Sequence, residues 1–100
     1  MIKHIIIWNL KDTLTASEKQ NIKINAKKNL EALVGKIDGL IDLKIKTDFL
    51  PTSSGEMMLD STFESFEALK AYATHPAHQA AANEFVRPYT SSRSCVDFEI

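Results

Sequence analysis

Three histidines, His4, His75 and His78, are the side chains whose ordinary pKa lies near neutrality, so acid/base chemistry in this chain is sought there first. His78 follows Pro76 on a segment that also sets Ala81, Ala82 and Phe85 on one face. If Tyr72, one helical segment earlier, turns its phenol to the same inner side, phenol and imidazole reach a single cavity. Such a pair suits an enolisable ketone, the imidazole removing a proton and the phenol donating to the developing oxyanion. The competing reading is structural: Tyr72 and His78 hydrogen-bond to each other or to backbone and hold a broken helix, since buried polar groups need partners with or without catalysis. His75 immediately precedes a proline and reads as a cap or hinge. The three-residue spacing of His75 and His78 suggests a metal pair, but Pro76 breaks the register and no third ligand is near in sequence, so no metal site is expected. His4 sits among Ile2, Ile6 and Trp8 on one face of a strand, either as a satisfied core histidine or as a cavity residue. Ile6, Trp8, Leu59 and Phe85 are the apolar residues expected to line that cavity with it. Cys95 is the only cysteine, which rules out an intramolecular disulfide and a thiolate-rich zinc site, and it is expected to pack in its strand.

One hundred residues support one modest core, so residues 1–100 are expected to form a single domain. A hydrophobic fraction of 44% and a charged fraction of 25% are those of an ordinary globular chain. Twelve basic against thirteen acidic residues give no overall field favouring nucleic acid or an anionic membrane. Lys23, Lys27, Lys28 and Lys36 are interspersed with Glu18, Glu31 and Asp38 and read as a solvated face. Gly35, Gly39 and Gly55 match no phosphate-binding loop. No signal peptide and no long apolar run is recognisable, so a cytoplasmic location is expected.

The elements that must position these residues follow from periodicity. From Ile2 to Leu10, Ile2, His4, Ile6, Trp8 and Leu10 share one face and Ile5 and Ile7 the other, the pattern of a strand buried on both sides. Thr15-Ala16-Ser17-Glu18 has capping-box spacing and opens a helix. Ile22, Ala26, Leu30, Leu33 and Ile37 form its apolar stripe, and Gly35 and Gly39 close it. A half-buried second strand alternates Ile41, Leu43, Ile45 and Phe49 with Asp42, Lys44, Lys46 and Asp48. Pro51 to Gly55 is a loop between antiparallel strands. A third strand sets Met57, Leu59, Ser61 and Phe63 on one face. Ser65 caps a helix carrying Phe66, Leu69, Tyr72 and Ala73, which Thr74-His75-Pro76 interrupts. A second helical piece starts at Pro76 and ends near Pro88, and the last strand, Ser94 to Ile100, alternates Val96, Phe98 and Ile100 with Cys95, Asp97 and Glu99.

The order β-α-β-β-α-β with right-handed crossovers predicts a ferredoxin-like α+β fold, a four-stranded antiparallel sheet with helices on one face. The other face, bearing Ile5 and Ile7, is then uncovered, and a twofold-related copy removes that exposure by packing sheet on sheet.

Lys3-His4-Ile5-Ile6-Ile7, Thr62-Phe63-Glu64-Ser65, Tyr72-Ala73-Thr74-His75-Pro76-Ala77-His78 and Val96-Asp97-Phe98, in that order along nearly the whole chain, resemble the stress-responsive A/B barrel family. The resemblance implies a homodimer forming a dimeric α+β barrel, stress-associated in some plant members. One branch of the family comprises polyketide cyclases that work without a cofactor. In that branch a tyrosine and a histidine falling on Tyr72 and His78 are the acid/base pair over an apolar cavity, and a further cavity histidine falls on His4. Ile22, Lys23 and Ala26 replace a more aromatic cavity wall in this chain. Two functions follow as expectations: a binder of a small apolar or aromatic molecule, with catalysis by Tyr72 and His78, or a non-enzymatic stress-associated dimer. An oxygenase of the related dimeric barrels fits the histidine pattern less well.

Overall fold

The computed structural model describes residues 1–100. Its elements are β1 (Ile2–Leu10), α1 (Ala16–Glu31), β2 (Leu40–Lys46), β3 (Met57–Phe63), α2 (Phe66–Thr74), α3 (Pro76–Phe85), a 3₁₀ turn (Arg87–Tyr89) and β4 (Thr90–Glu99). The four strands form one antiparallel sheet in the order β2-β3-β1-β4, the ferredoxin-like α+β arrangement. No helix is long and apolar enough to cross a membrane.

Local chemistry explains the helix starts. The Thr15 hydroxyl accepts from the Glu18 amide at 3.1 Å while the Glu18 carboxylate accepts from the Thr15 amide at 2.9 Å, a closed capping box. Ser65 caps α2 by accepting from the Ala68 amide at 3.1 Å. Ile22, Ala26 and Leu30 are the buried side of α1. The helix stops at Glu31, short of the expected stripe: the Leu33 and Val34 amides bond back three residues, and Gly35 takes φ +89°. Leu33 and Ile37 nonetheless stay buried, because these turns lie back over the core. The free edge of β2 is covered by α1: the Glu31 carboxylate accepts from the Ile45 amide at 2.9 Å, and the Lys27 ammonium donates to the Ile45 carbonyl at 3.1 Å.

Two strands differ from expectation. In β2 a register shift between Leu40 and Asp42 buries Leu40 and turns Ile41 out to 42% exposure, and Phe49 lies in the loop after the strand. β4 begins at Thr90 rather than Ser94, since Ser92 and Arg93 pair with Asn9 and Trp8.

The alternation of β1 separates the two faces of the sheet. His4, Ile6, Trp8 and Leu10 point to the helices and are buried. Lys3, Ile5 and Ile7 point away, registered with Phe98, Val96 and Ser94 on β4. No helix covers this outward face; the loop between β2 and β3 reaches it at Gly55, against Ile7, and Ile7, Val96, Phe98 and Ile100 stay between 39% and 66% exposed.

Candidate functional site

A cleft of about 320 Å³ opens between the sheet and the α2–α3 pair. β1 supplies His4, Ile6 and Trp8 to it, β3 supplies Leu59, and the helices supply Tyr72, His78 and Ala82. The break between α2 and α3 sets up the pairing at its centre. His75 adopts extended backbone (φ −65°, ψ 132°) ahead of Pro76, and its Nδ1 accepts from the Ala77 amide at 3.1 Å, capping α3. Across that break the rings of Tyr72, near the end of α2, and His78, near the start of α3, lie 4.1 Å apart at 31°. Phe63 backs Tyr72 with its ring 4.9 Å away at 61°, and His4 lies 6.2 Å from it at 69°.

The polar atoms are disposed unequally. His78 Nδ1 lies 3.3 Å from the Ala73 carbonyl, which can only accept, so that nitrogen carries the proton and Nε2 keeps a lone pair. Burial holds the His78 imidazolium below its ordinary pKa; the Ala73 carbonyl opposes this, and Arg87 and His4 reinforce it. Burial likewise pushes the Tyr72 phenol well above its usual range, with Arg93 pulling slightly the other way. The Tyr72 hydroxyl enters none of the hydrogen bonds of the chain, although Tyr72 as a whole is only 2% exposed. At neutral pH the site therefore presents a neutral imidazole and a protonated, unpartnered phenol to one cavity.

His4 is held from the other side. Its Nδ1 is hydrogen-bonded to the Asp97 carboxylate, the residue directly opposite it in the β1–β4 ladder. Cys95, two residues earlier on the same face, brings Sγ to 3.7 Å from that nitrogen. Cys95 is exposed in the chain rather than packed as expected, because no helix extends over β4 at that point. Burial and the neighbouring Asp97 charge both raise its thiol pKa, so it is protonated at neutral pH. His4, Cys95 and Asp97 are the donors near enough to one another, all within 4.8 Å, to raise the question of a metal. Here the imidazole and carboxylate are engaged with each other.

Tyr72, His78, His4, Ile6, Trp8 and Leu59 thus meet at one cleft. Phe85 does not: it closes α3 on the side facing α1 and lines a separate groove with Leu14, Ile22 and Tyr89, while the next residue, Val86, lines the cleft. Sequence reasoning passed over Asp97, whose role depends on strand register. It also passed over Arg87 and Arg93 at the mouth of the cleft. An antiparallel β1–β4 pairing was the available signal for Asp97, but alternation alone does not set the register.

Comparison with known proteins is consistent along the chain. The family model described as Stress Responsive A/B Barrel Domain matches residues 2–100. A dimeric protein of unknown function and ferredoxin-like fold from Bacteroides fragilis is 32% identical, with 99% of this chain and 95% of that chain covered and a TM-score of 0.91. A protein from Arabidopsis thaliana shares the fold at 23% identity, covering 100% and 95% of the two chains with a TM-score of 0.78. The hydroxynitrile lyase from Passiflora edulis shares it at 20% identity, covering 99% and 92% with a TM-score of 0.73. A comparison with curated proteins returns no match.

Proposed function

The chain belongs to the stress responsive A/B barrel domain family, and from the geometry of its cleft we propose that it is a homodimer binding a small apolar or aromatic molecule, on which Tyr72 and His78 act as a cofactor-free acid/base pair. The observation that carries this reading is the unpartnered Tyr72 phenol beside a His78 ring whose Nδ1 is tied to the Ala73 carbonyl, leaving Nε2 as the available base. On a ketone seated in the cleft, Nε2 takes the proton from the α-carbon and the C–H electron pair moves into the enolate. The phenol, kept protonated by burial, donates a hydrogen bond to the developing oxyanion. His4, oriented by Asp97, borders the same space. The apolar walls exclude water and strengthen both interactions.

Dimerisation is supported by the uncovered outward face around Ile5 and Ile7 and by the Bacteroides fragilis relative, which is described as dimeric. Sheet-on-sheet packing through that face leaves the cleft, on the opposite side of the sheet, open.

The test is deuterium exchange into the methyl group of acetophenone in heavy water, followed by proton NMR. The protein should accelerate exchange over an equal concentration of free imidazole, and Tyr72→Phe and His78→Ala should each reduce the excess rate by roughly a hundredfold or more. No acceleration over free imidazole would overturn the catalytic reading. The non-enzymatic alternative has one observation in its favour: His78 and Gln79 both donate to the Ala73 carbonyl across the helix break, at 3.3 and 2.5 Å.

A further inference from the structure

The chain has twelve basic residues, and all but two are lysines. Both arginines, Arg87 and Arg93, line the cleft, and no lysine does. Neither guanidinium is neutralised: the ion pairs of the chain join Lys3 to Asp60, Lys19 to Glu56 and Lys27 to Glu31, none of them with an arginine. No aspartate or glutamate lines the cleft. Asp97 lies beside it, but its carboxylate is already engaged by His4.

Arg87 is also built into position. Its Nη1 donates to Gln79 Oε1 at 2.7 Å and to Asn83 Oδ1 at 2.6 Å, two neutral acceptors that orient the group without cancelling its charge. Gln79 is itself fixed, its amide nitrogen donating to the Ala73 carbonyl at 2.5 Å. Arg87 therefore stands on the His78 side of the mouth, at the start of the 3₁₀ turn that follows α3. Arg93 comes from the opposite wall, on β4 directly across from Trp8. Its charge is felt at both Tyr72 and Cys95. A planar guanidinium fork matches the two oxygens of a carboxylate in a way that a lysine ammonium does not. Two uncompensated guanidinium groups over an apolar cavity call for a counter-charge on the ligand.

Resting on the binding reading given above, we infer that the ligand of this cleft is a carboxylate, an apolar or aromatic acid whose anionic group is held at the mouth by Arg87 and Arg93 while its reactive carbon lies inward at Tyr72 and His78. The arginines then set both the class of the ligand and its direction of entry. A carboxylate at the mouth also keeps the ligand's negative charge away from the Tyr72 hydroxyl, where the developing oxyanion must form.

The experiment uses a matched pair of aryl methyl ketones, 4-acetylbenzoate and 4-acetylbenzamide, which differ in charge and hardly in shape. Each is titrated into the full-length protein at low salt, with binding read from the NMR resonances of the His78 and His4 rings. The benzoate should bind roughly tenfold more tightly than the amide, since charge-assisted contacts at an exposed rim are partly screened. In Arg87→Gln and Arg93→Gln that advantage should shrink toward unity while affinity for the amide stays the same. Equal affinity of the two probes for the native protein, with both shifting the cleft resonances, would overturn the carboxylate assignment and leave the cleft as a binding site for neutral ligands. Failure of both probes to shift those resonances would overturn the assignment and the binding reading together. An advantage for the benzoate that survives both substitutions would place the anion site elsewhere and also overturn the assignment.

Discussion

Deleting the Tyr72 hydroxyl and deleting the His78 ring should separate in thermal unfolding, because the structure gives the two groups different work. Tyr72→Phe keeps the ring contacts with Phe63 at 4.9 Å and with His78 at 4.1 Å and removes an oxygen that no protein group engages. The expected change in stability is within about 0.5 kcal/mol, since no hydrogen bond is broken and no buried partner is stranded. His78→Ala loses the bond to the Ala73 carbonyl, for which a net of about 0.5–1.5 kcal/mol is usual, together with the packing of a half-buried ring. Two effects offset part of this: Ala73 keeps its bond from Gln79, and alanine is the better helix former by a few tenths of a kcal/mol. A net loss of about 1–2 kcal/mol follows. For a chain of this size, with about 4–8 °C of midpoint per kcal/mol, the melt should fall by roughly 4–16 °C. The assay is calorimetry or circular dichroism at pH 7.5, with the cleft empty. A fall of more than about 5 °C for Tyr72→Phe would refute the reasoning, because the hydroxyl would then be a structural group and its freedom to serve a ligand would disappear.

On the outward face, Ile7→Lys should convert the dimer into a monomer near 11.2 kDa in sedimentation; a variant that stays dimeric would refute sheet-on-sheet assembly. Gly39→Ala should cost more than Gly35→Ala: both glycines have φ above +80°, but a Cβ at Gly39 would lie 2.5 Å from the Ala68 Cβ, whereas one at Gly35 would meet nothing within 4 Å. The left-handed backbone alone accounts for about 1–2 kcal/mol in each, and overpacking should add about 1–3 kcal/mol at Gly39, so equal melting points for the two variants would contradict the packing there. His78, its pKa lowered by burial, binds a proton more weakly in the folded chain than in the unfolded one. Its contribution to stability is therefore complete above the ordinary value of 6.5 and is lost as pH falls below it. Comparing native protein with His78→Gln over pH 5–7.5 should show the native midpoint declining more steeply toward acid; parallel curves would refute the shift.

The fold was legible wherever one local rule acted without competition. β1 read as a strand from its apolar run on both faces, and the caps of α1 and α2 had hydroxyls at the needed positions. Pro76 left the chain no way to continue α2 into α3 as one helix. Misreadings arose where tertiary contacts overrode a local pattern. The stripe from Ile22 to Ile37 keeps helical spacing, yet the backbone leaves the helix at Glu31, whose carboxylate accepts from the Ile45 amide at the free edge of β2, and Leu33 and Ile37 are buried from turns. Ile41 belongs to a regular alternation until the bulge shifts the register by one residue, which is enough to change its face. Thr90 to Arg93 is too polar to read as strand, and it is strand because β1 offers it a ladder. In the cleft, Tyr72, His78 and His4 were recognisable as chemical types on plausible faces. Asp97 and the two arginines were not, because their meaning lies in which residue stands opposite and in which carboxylates are absent. Phe85 shares a helical face with His78 by spacing, but seven residues carry it past the end of the cleft to the groove against α1.

The most direct test of the central claim is to follow the His78 ring by nitrogen-15 NMR through a pH titration. The account predicts a titration midpoint below 6.5, a neutral form protonated at Nδ1, and an Nε2 resonance that shifts when 4-acetylbenzoate is added at pH 7.5. A neutral ring protonated at Nε2 would leave no free base facing the cleft, and a midpoint at or above 6.5 would show that burial does not disfavour the imidazolium; either result would contradict it.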